Sequence, residues 1–236
     1  MTERDDRFWA KFLGIEPADW QAPGVSVREQ VGLSGYSGIW SFQRDQRVVV
    51  SAPAAWFTRL EDLVGGSDAR RLLEPEWWRS VLGDVVERVI GPAYQGGLEP
   101  AHFTPQTDAA VELLSEGAAK AALNELEVAV GAEAWDSSAL GEVKSPIAVR
   151  RDAGRVVALC GYRPRGDDAG DPCVLVHPEF YGRGYGTAVV SAVVASALRD
   201  DKLLLYQTLE SNLGAVAIAK RLGYRQYARY LAIRLR

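Results

Sequence analysis

The sequence predicts a mixed α/β domain, and three observations carry that prediction. Helical spacing and short β-branched runs both occur along the chain. In the second half those runs form an antiparallel meander that feeds a strand–helix–strand–helix–strand series. With 236 residues, 47% of them hydrophobic and 25% charged, the chain is long enough to bury a core without disulfides or metal. The net charge of −4 provides no basic field for nucleic acid or anionic lipid. The opening MTERDDRFWAKF is charged throughout, unlike a signal peptide. The longest weakly polar stretch, 188–198, is far short of the roughly 20 residues that span a bilayer. The expectation is a soluble, cytoplasmic protein that engages neither nucleic acid nor membrane.

Taken in order, the first half begins with a helix over 3–13. A hairpin of 38–43 with 47–51 follows, then helices over 54–64 and 75–82, the latter with Pro75 in its first turn, and a strand over 85–90. The Gly- and Pro-dense stretch 91–106 is the best boundary, dividing an N-terminal α+β region (1–100) from a second domain (101–236). Alanine and leucine spacing predicts helices over 108–117 and 120–130. Strands are expected at 147–150, 155–162 and 173–177, a helix over 186–199, a strand over 203–208, a helix over 213–222 and a closing strand over 226–235. Cys160 and Cys173 lie in the two runs that flank PRGDDAGDP, which reads as a hairpin loop, and are expected as buried free thiols. His102 and His177 are too few and too far apart for a zinc site, so no metal is expected.

Chemistry concentrates in 173–199, CVLVHPEFYGRGYGTAVVSAVVASALR. A β-branched strand ends at Pro178, Gly182, Gly184 and Gly186 alternate, and a helix opens directly after them. Glycines at that spacing let consecutive backbone amides converge at the positive end of a helix dipole, which suits a phosphate or diphosphate. Arg183 adds charge and forked donors. The dinucleotide fingerprint fails because its third glycine would fall on Thr187. A Walker loop fails because no lysine lies between Lys144 and Lys202. A tight turn without a ligand is the bland alternative.

The arrangement resembles the GNAT superfamily of acyl-CoA-dependent N-acyltransferases. The first signature stands as Val176-His177-Pro178 followed by Tyr181-Gly182-Arg183-Gly184-Tyr185-Gly186. The second stands as Asn212 opening a helix that ends in Leu222-Gly223-Tyr224. The resemblance covers about 103–236 and is specific over 174–224. It implies a GNAT-like mixed, mostly antiparallel sheet flanked by helices, and acetyl-CoA as co-substrate. Main-chain groups of Val174, Leu175 and Val176 would meet the pantetheine arm, with the Val176 amide near the thioester oxygen. Amides of Gly182, Arg183, Gly184, Tyr185, Gly186 and Thr187 would hold the diphosphate. Asn212 would bind the arm, cap a helix, or both.

Two departures from the family pattern stand out. Tyr181 replaces the usual Arg or Gln. Ala219 stands where many relatives carry a tyrosine that protonates the leaving thiolate, and Tyr206 and Tyr224 are substitutes by proximity only. An amine with a pKa near 10 is about 0.1% neutral at pH 7, so a base is expected. Glu210 and His177 are the candidates, with Glu142 and Glu133 as outsiders. The implied activity is acetyl transfer to a primary amine of a small molecule or peptide by direct attack. The alternative is a catalytically inactive acyl-CoA-binding sensor. The first hundred residues admit two readings. Hairpin, Pro53 and helix echo hairpin, Pro178 and helix as a degenerate GNAT-like copy, or the region is an unrelated α+β extension whose six tryptophans serve packing.

Overall fold

A computed structural model describes residues 3–32 and 36–236. In chain order its helices and strands are α1 (Glu3–Leu13), β1 (Gly24–Glu29), β2 (Gly38–Arg44), β3 (Arg47–Ala52), α2 (Phe57–Val64), α3 (Pro75–Leu82) and β4 (Val86–Gly97). The chain continues through β5 (Val111–Leu114), α4 (Glu116–Val130), α5 (Ala132–Ser138), β6 (Lys144–Asp152), β7 (Arg155–Pro164) and β8 (Ala169–Val176). It ends with α6 (Tyr185–Arg199), β9 (Leu203–Leu209), α7 (Leu213–Arg221) and β10 (Arg225–Leu235). The chain packs as two compact units. The first takes the residues up to Gly97 together with 207–216 and 226–236, and the second takes 98–206 with 217–225.

In the first unit β2 pairs antiparallel with β3 on one side and with β10 on the other. β1 runs parallel to β3, and β4 lies next to β10. One face of this sheet buries Ile39, Val48, Val50, Leu231 and Ile233 against Leu60, Val64, Leu72, Trp78 and Leu82 from α2, α3 and the turn between them. The other face is aromatic. Trp9 of α1 packs 4.7 Å from Phe42, and Trp40 stacks on Tyr230 at 4.5 Å. Trp9, Trp20, Trp40 and Trp78 are all buried, and Trp56 and Trp77 pack partly buried against the aliphatic face. The buried Arg44 fixes α1 by pairing with Asp6 and with the Tyr227 hydroxyl, which itself donates to Asp6.

In the second unit β5, β6, β7 and β8 form an antiparallel meander, and β9 adds in parallel to β8. Ala119, Ala122 and Leu126 of α4 cover one face, over Ile147, Val149, Leu159 and Cys173. The other face lies under α6, whose Val189, Val190, Val193 and Val194 are completely buried. Cys160 opposes Val174 and Cys173 opposes Gly161, so the two thiols emerge on opposite faces, and both are buried and free. The expected helix over 108–117 is not formed. Asp108 accepts from the Ala110 amide in a tight turn, and Val111–Leu114 then pairs as the edge strand beside β6. Three apolar residues in the four of VELL fit either period, and the edge of β6 decides between them. The helix that does form starts at Glu116.

Both units contain a hairpin, a proline and a helix in that order, but they continue differently. The strand parallel to β3 is β1, which precedes the hairpin. The strand parallel to β8 is β9, which follows α6. No helix among the described residues is long and apolar enough to cross a membrane.

Candidate functional site

In the second unit the end of β8 extends beyond its pairing with β9. Pairing with β9 is confined to Ala169↔Leu203 and Gly170↔Leu204. The His177 amide donates to the Val157 carbonyl at 2.8 Å, and His177 and Val157 continue the β7–β8 register. Antiparallel strands alternate between residues that bond to the neighbour and residues that face away from it. His177, Leu175 and Cys173 therefore turn their main-chain groups toward β7, whereas Val176 and Val174 turn theirs to the opposite side. Of the three residues expected to offer backbone groups, Leu175 does not, because β7 already occupies them.

Pro172 explains where the pairing with β9 stops. In the parallel register the Leu203 amide donates to Asp168, and the residue facing β9 after Gly170 is residue 172. Its amide would donate the next rung, but proline has none. The sequence reading placed Pro172 in a loop and missed this. The available signal was a proline set against an otherwise buried apolar run.

Beyond β8 the chain makes one tight turn, Pro178–Phe180, capped by His177, whose Nδ1 accepts from the Glu179 amide at 3.3 Å. The glycine segment then enters α6. Gly182 and Gly184 have φ of 76° and 82°, the left-handed region that favours glycine, and a Cβ at either would meet nothing within 4 Å. Gly186 has a different reason to be glycine, since a Cβ there would lie 3.1 Å from both Val176 Cγ2 and Ile218 Cδ1. The first intrahelical bond runs from the Ala188 amide to the Gly184 carbonyl. The amides of 185–187 therefore have no acceptor within this 15-residue helix. Those of 182–184 find no backbone acceptor among the described residues. Such donors at a helix N-terminus suit a diphosphate. The outward-facing Val174 and Val176 groups fit an amide-bearing arm. Acetyl-CoA carries both, so the residues present fit it.

The remaining predicted residues are placed as follows. Arg183 lies with its guanidinium 4.7 Å over the Phe180 ring, and Tyr181 is exposed. Ala219 is completely buried, and its carbonyl accepts from the Tyr224 amide. Tyr224 stacks edge-on against Tyr206, and burial pushes its hydroxyl well above the ordinary tyrosine range. Glu142 pairs with Arg163, and Glu133 is an exposed residue of α5. Gly223 must be glycine, because a Cβ would overlap the His102 carbonyl. Glu210 and Asn212 belong to the first unit. Both Glu210 oxygens accept from Arg229, at 2.5 and 2.7 Å, and Gln226 adds a third bond. Hydrogen bonding to Glu210 holds the Arg229 guanidinium above its ordinary pKa. Asn212 Oδ1 accepts from the Ala215 amide at 3.1 Å, which makes it the cap of α7.

Comparison with known proteins bears on the same segment. The acetyltransferase (GNAT) family model matches residues 113–224. Among solved structures, a GNAT-family protein from Novosphingobium aromaticivorans superposes with a TM-score of 0.50 at 22% identity, over 63% of this chain and 65% of that one. A GCN5-related N-acetyltransferase from Kribbella flavida does so with a TM-score of 0.50 at 18% identity, over 65% and 62%. The chain thus spans just under two thirds of each, and at these identities the likeness is one of fold. No curated protein matches the sequence. The likeness to the acetyltransferase (GNAT) family, whose chemistry is acyl-CoA-dependent acetyl transfer, thus lies in residues 113–224, just under half of the chain.

Proposed function

We propose that this protein moves an acetyl group from acetyl-CoA to a primary amine of a small molecule or peptide, by direct attack in a ternary complex. The observation that carries the reading is the junction of two backbone surfaces on one short segment. Val174 and Val176 present main-chain groups on the unpaired side of β8, and within ten residues the 182–187 amides converge at the start of α6. In this reading the loop amides hold the diphosphate, and the Val174 groups pair with the pantetheine arm. The Val176 amide donates to the carbonyl oxygen as it gains charge, a contact that strengthens in the transition state. The amine nitrogen bonds to the acetyl carbon, the carbon–sulfur bond breaks, the nitrogen releases a proton and the thiolate takes one up.

A specific set of observations favours the second reading, an acyl-CoA-binding protein without turnover. The His177 Nδ1 is engaged as a cap, Glu210 is forked by Arg229, Ala219 has no hydroxyl and Tyr224 is buried. One experiment separates the two. The protein is incubated with acetyl-CoA and a panel of primary amines, from polyamines and amino sugars to peptides with free N-termini, while release of coenzyme A thiol is followed. Amine-dependent release supports transfer. Saturable acetyl-CoA binding with no release across the panel supports the sensor.

A further inference from the structure

A loop built on three glycines gains freedom to curve but loses the side chains that would hold the curve. Its intervening residues supply them. The Tyr185 ring lies 6.1 Å from that of Phe180 at 30°, and the Arg183 guanidinium covers Phe180 at 4.7 Å. A fourth member comes from outside the loop, for the Arg150 guanidinium sits 4.6 Å over the Tyr185 ring. Arg150, Ala158 and Val176 occupy one row across β6, β7 and β8, so all three project on the α6 face. Arg150 is therefore about 10 Å from Val176, two strand spacings away on the side opposite the open edge of β8. Ala158 stands between them in that row.

Arg150 is itself fixed. Its Nε donates to Asp108 Oδ2 at 2.8 Å, and the pair is largely buried, at 15% and 26% side-chain exposure. Asp108 is oriented by the Ala110 amide at 2.9 Å. That bond, with Arg150 second, keeps its carboxyl below the ordinary aspartate range. Two residues upstream, the Gln106 amide donates to Ser191 on α6 at 2.8 Å. The segment that carries Asp108 is thus tied to the helix the loop opens.

Resting on the proposed function, we infer that Arg150, held by Asp108, is a positioning residue for the anion loop. It clamps Tyr185, and through Tyr185 and Phe180 it keeps Gly182–Thr187 in the diphosphate-binding shape before the ligand arrives. Its contribution is preorganisation, which lowers the ordering cost of binding. Its effect is on affinity for anything that carries the diphosphate.

The test uses the full chain with two ligands, acetyl-CoA and adenosine 3′-phosphate 5′-diphosphate. The second keeps a diphosphate but lacks the pantetheine arm. Arg150→Met retains the aliphatic stem and removes the cation. It is expected to weaken both ligands by a similar factor, roughly fivefold, in the range of a half-buried cation–π contact. Measured well below the melting temperature, such dissociation constants do not follow global stability. Arg150→Lys should recover part of the loss, because a cation over the Tyr185 ring is kept. Parent-like affinity of Arg150→Met for both ligands overturns the inference, as does a loss confined to acetyl-CoA. Should Arg150→Met fail to fold, Tyr185→Leu carries the same expectations. If the parent binds neither ligand, the functional reading itself fails and the inference falls with it.

Discussion

Replacing Gly184 by aspartate separates what the loop does for the fold from what it does for an anion. Gly184 sits at φ 82°, immediately before α6, and a Cβ there meets no atom within 4 Å. A side chain therefore displaces nothing, and the cost to the fold is the left-handed backbone alone, about 1 kcal/mol. Asparagine and aspartate tolerate that region best among non-glycine residues, and as neighbours of a helix start they return part of the cost by capping it. Gly184→Asn and Gly184→Asp should consequently have similar unfolding midpoints, close to that of the parent. Binding should not be similar. The carboxylate of the aspartate variant lies within a few ångströms of the expected diphosphate, where a pair of like charges costs about 1 to 4 kcal/mol depending on screening. Gly184→Asp should bind acetyl-CoA at least tenfold more weakly than Gly184→Asn, about 1.4 kcal/mol, by isothermal titration. The gap should narrow as salt is raised from about 50 to 500 mM. Equal affinity of the two folded variants at about 50 mM salt would refute the assignment of the loop as an anion site. Gly186→Ala is the contrasting case. Its methyl meets Val176 Cγ2 and Ile218 Cδ1 at 3.1 Å, so those side chains must shift by a few tenths of an ångström to admit it.

Two further outcomes follow from the second unit. Pro172→Ala supplies the amide that the β8–β9 ladder lacks. That amide should become slow to exchange with deuterium as it reaches the β9 backbone, and acetyl-CoA affinity should fall; a fast-exchanging residue 172 amide with unchanged affinity would remove Pro172 as the cause of the open edge. Burial pushes the Cys160 thiol up and that of Cys173 to about 12 from 9.0. Between those values an unfolded chain has lost thiol protons that the folded chain keeps. Stability is thus full below pH 9 and falls as pH rises toward 12, by up to about 1.4 kcal/mol per pH unit per thiol. Urea midpoints between pH 8 and 10.5 check this, and a flat profile in which a Cys173→Ala variant behaves identically would contradict it.

Much of the second unit is legible in the sequence because its signals are local. Glycine at 182, 184 and 186, followed by valines on a helical face, specifies strand, loop and helix without reference to any distant residue. The helix Pro75–Leu82 is equally local, with proline in its first turn. What escapes is set by pairing across long sequence separations. β10 returns to β2, pairing Leu231 with Ser41, and nothing near residue 231 announces that partner. Val111–Leu114 becomes a strand only because Ile147–Arg150 offers an edge. At the site, the loop and the strand end can be anticipated, yet the facing of Val174 and Val176 against Leu175 depends on register. Register in turn needs the pairing of β7 with β8. The candidate bases show the opposite limit. Glu210 and His177 satisfy every composition argument for a base, and only the placement of Arg229 and the Glu179 amide reveals how they are engaged.

The central claim, that the 174–187 segment is built for acetyl-CoA, is tested most directly by thermal unfolding of the full chain during acetyl-CoA titration. A ligand at one hundred times its dissociation constant adds about 2.7 kcal/mol of stability. For a chain of this size that corresponds to a melting temperature raised by roughly 5 to 10 °C. A saturable rise of that order is expected, which the Gly184→Asp variant requires at least tenfold more ligand to reach. A melting temperature that does not respond to acetyl-CoA up to millimolar concentration would contradict it.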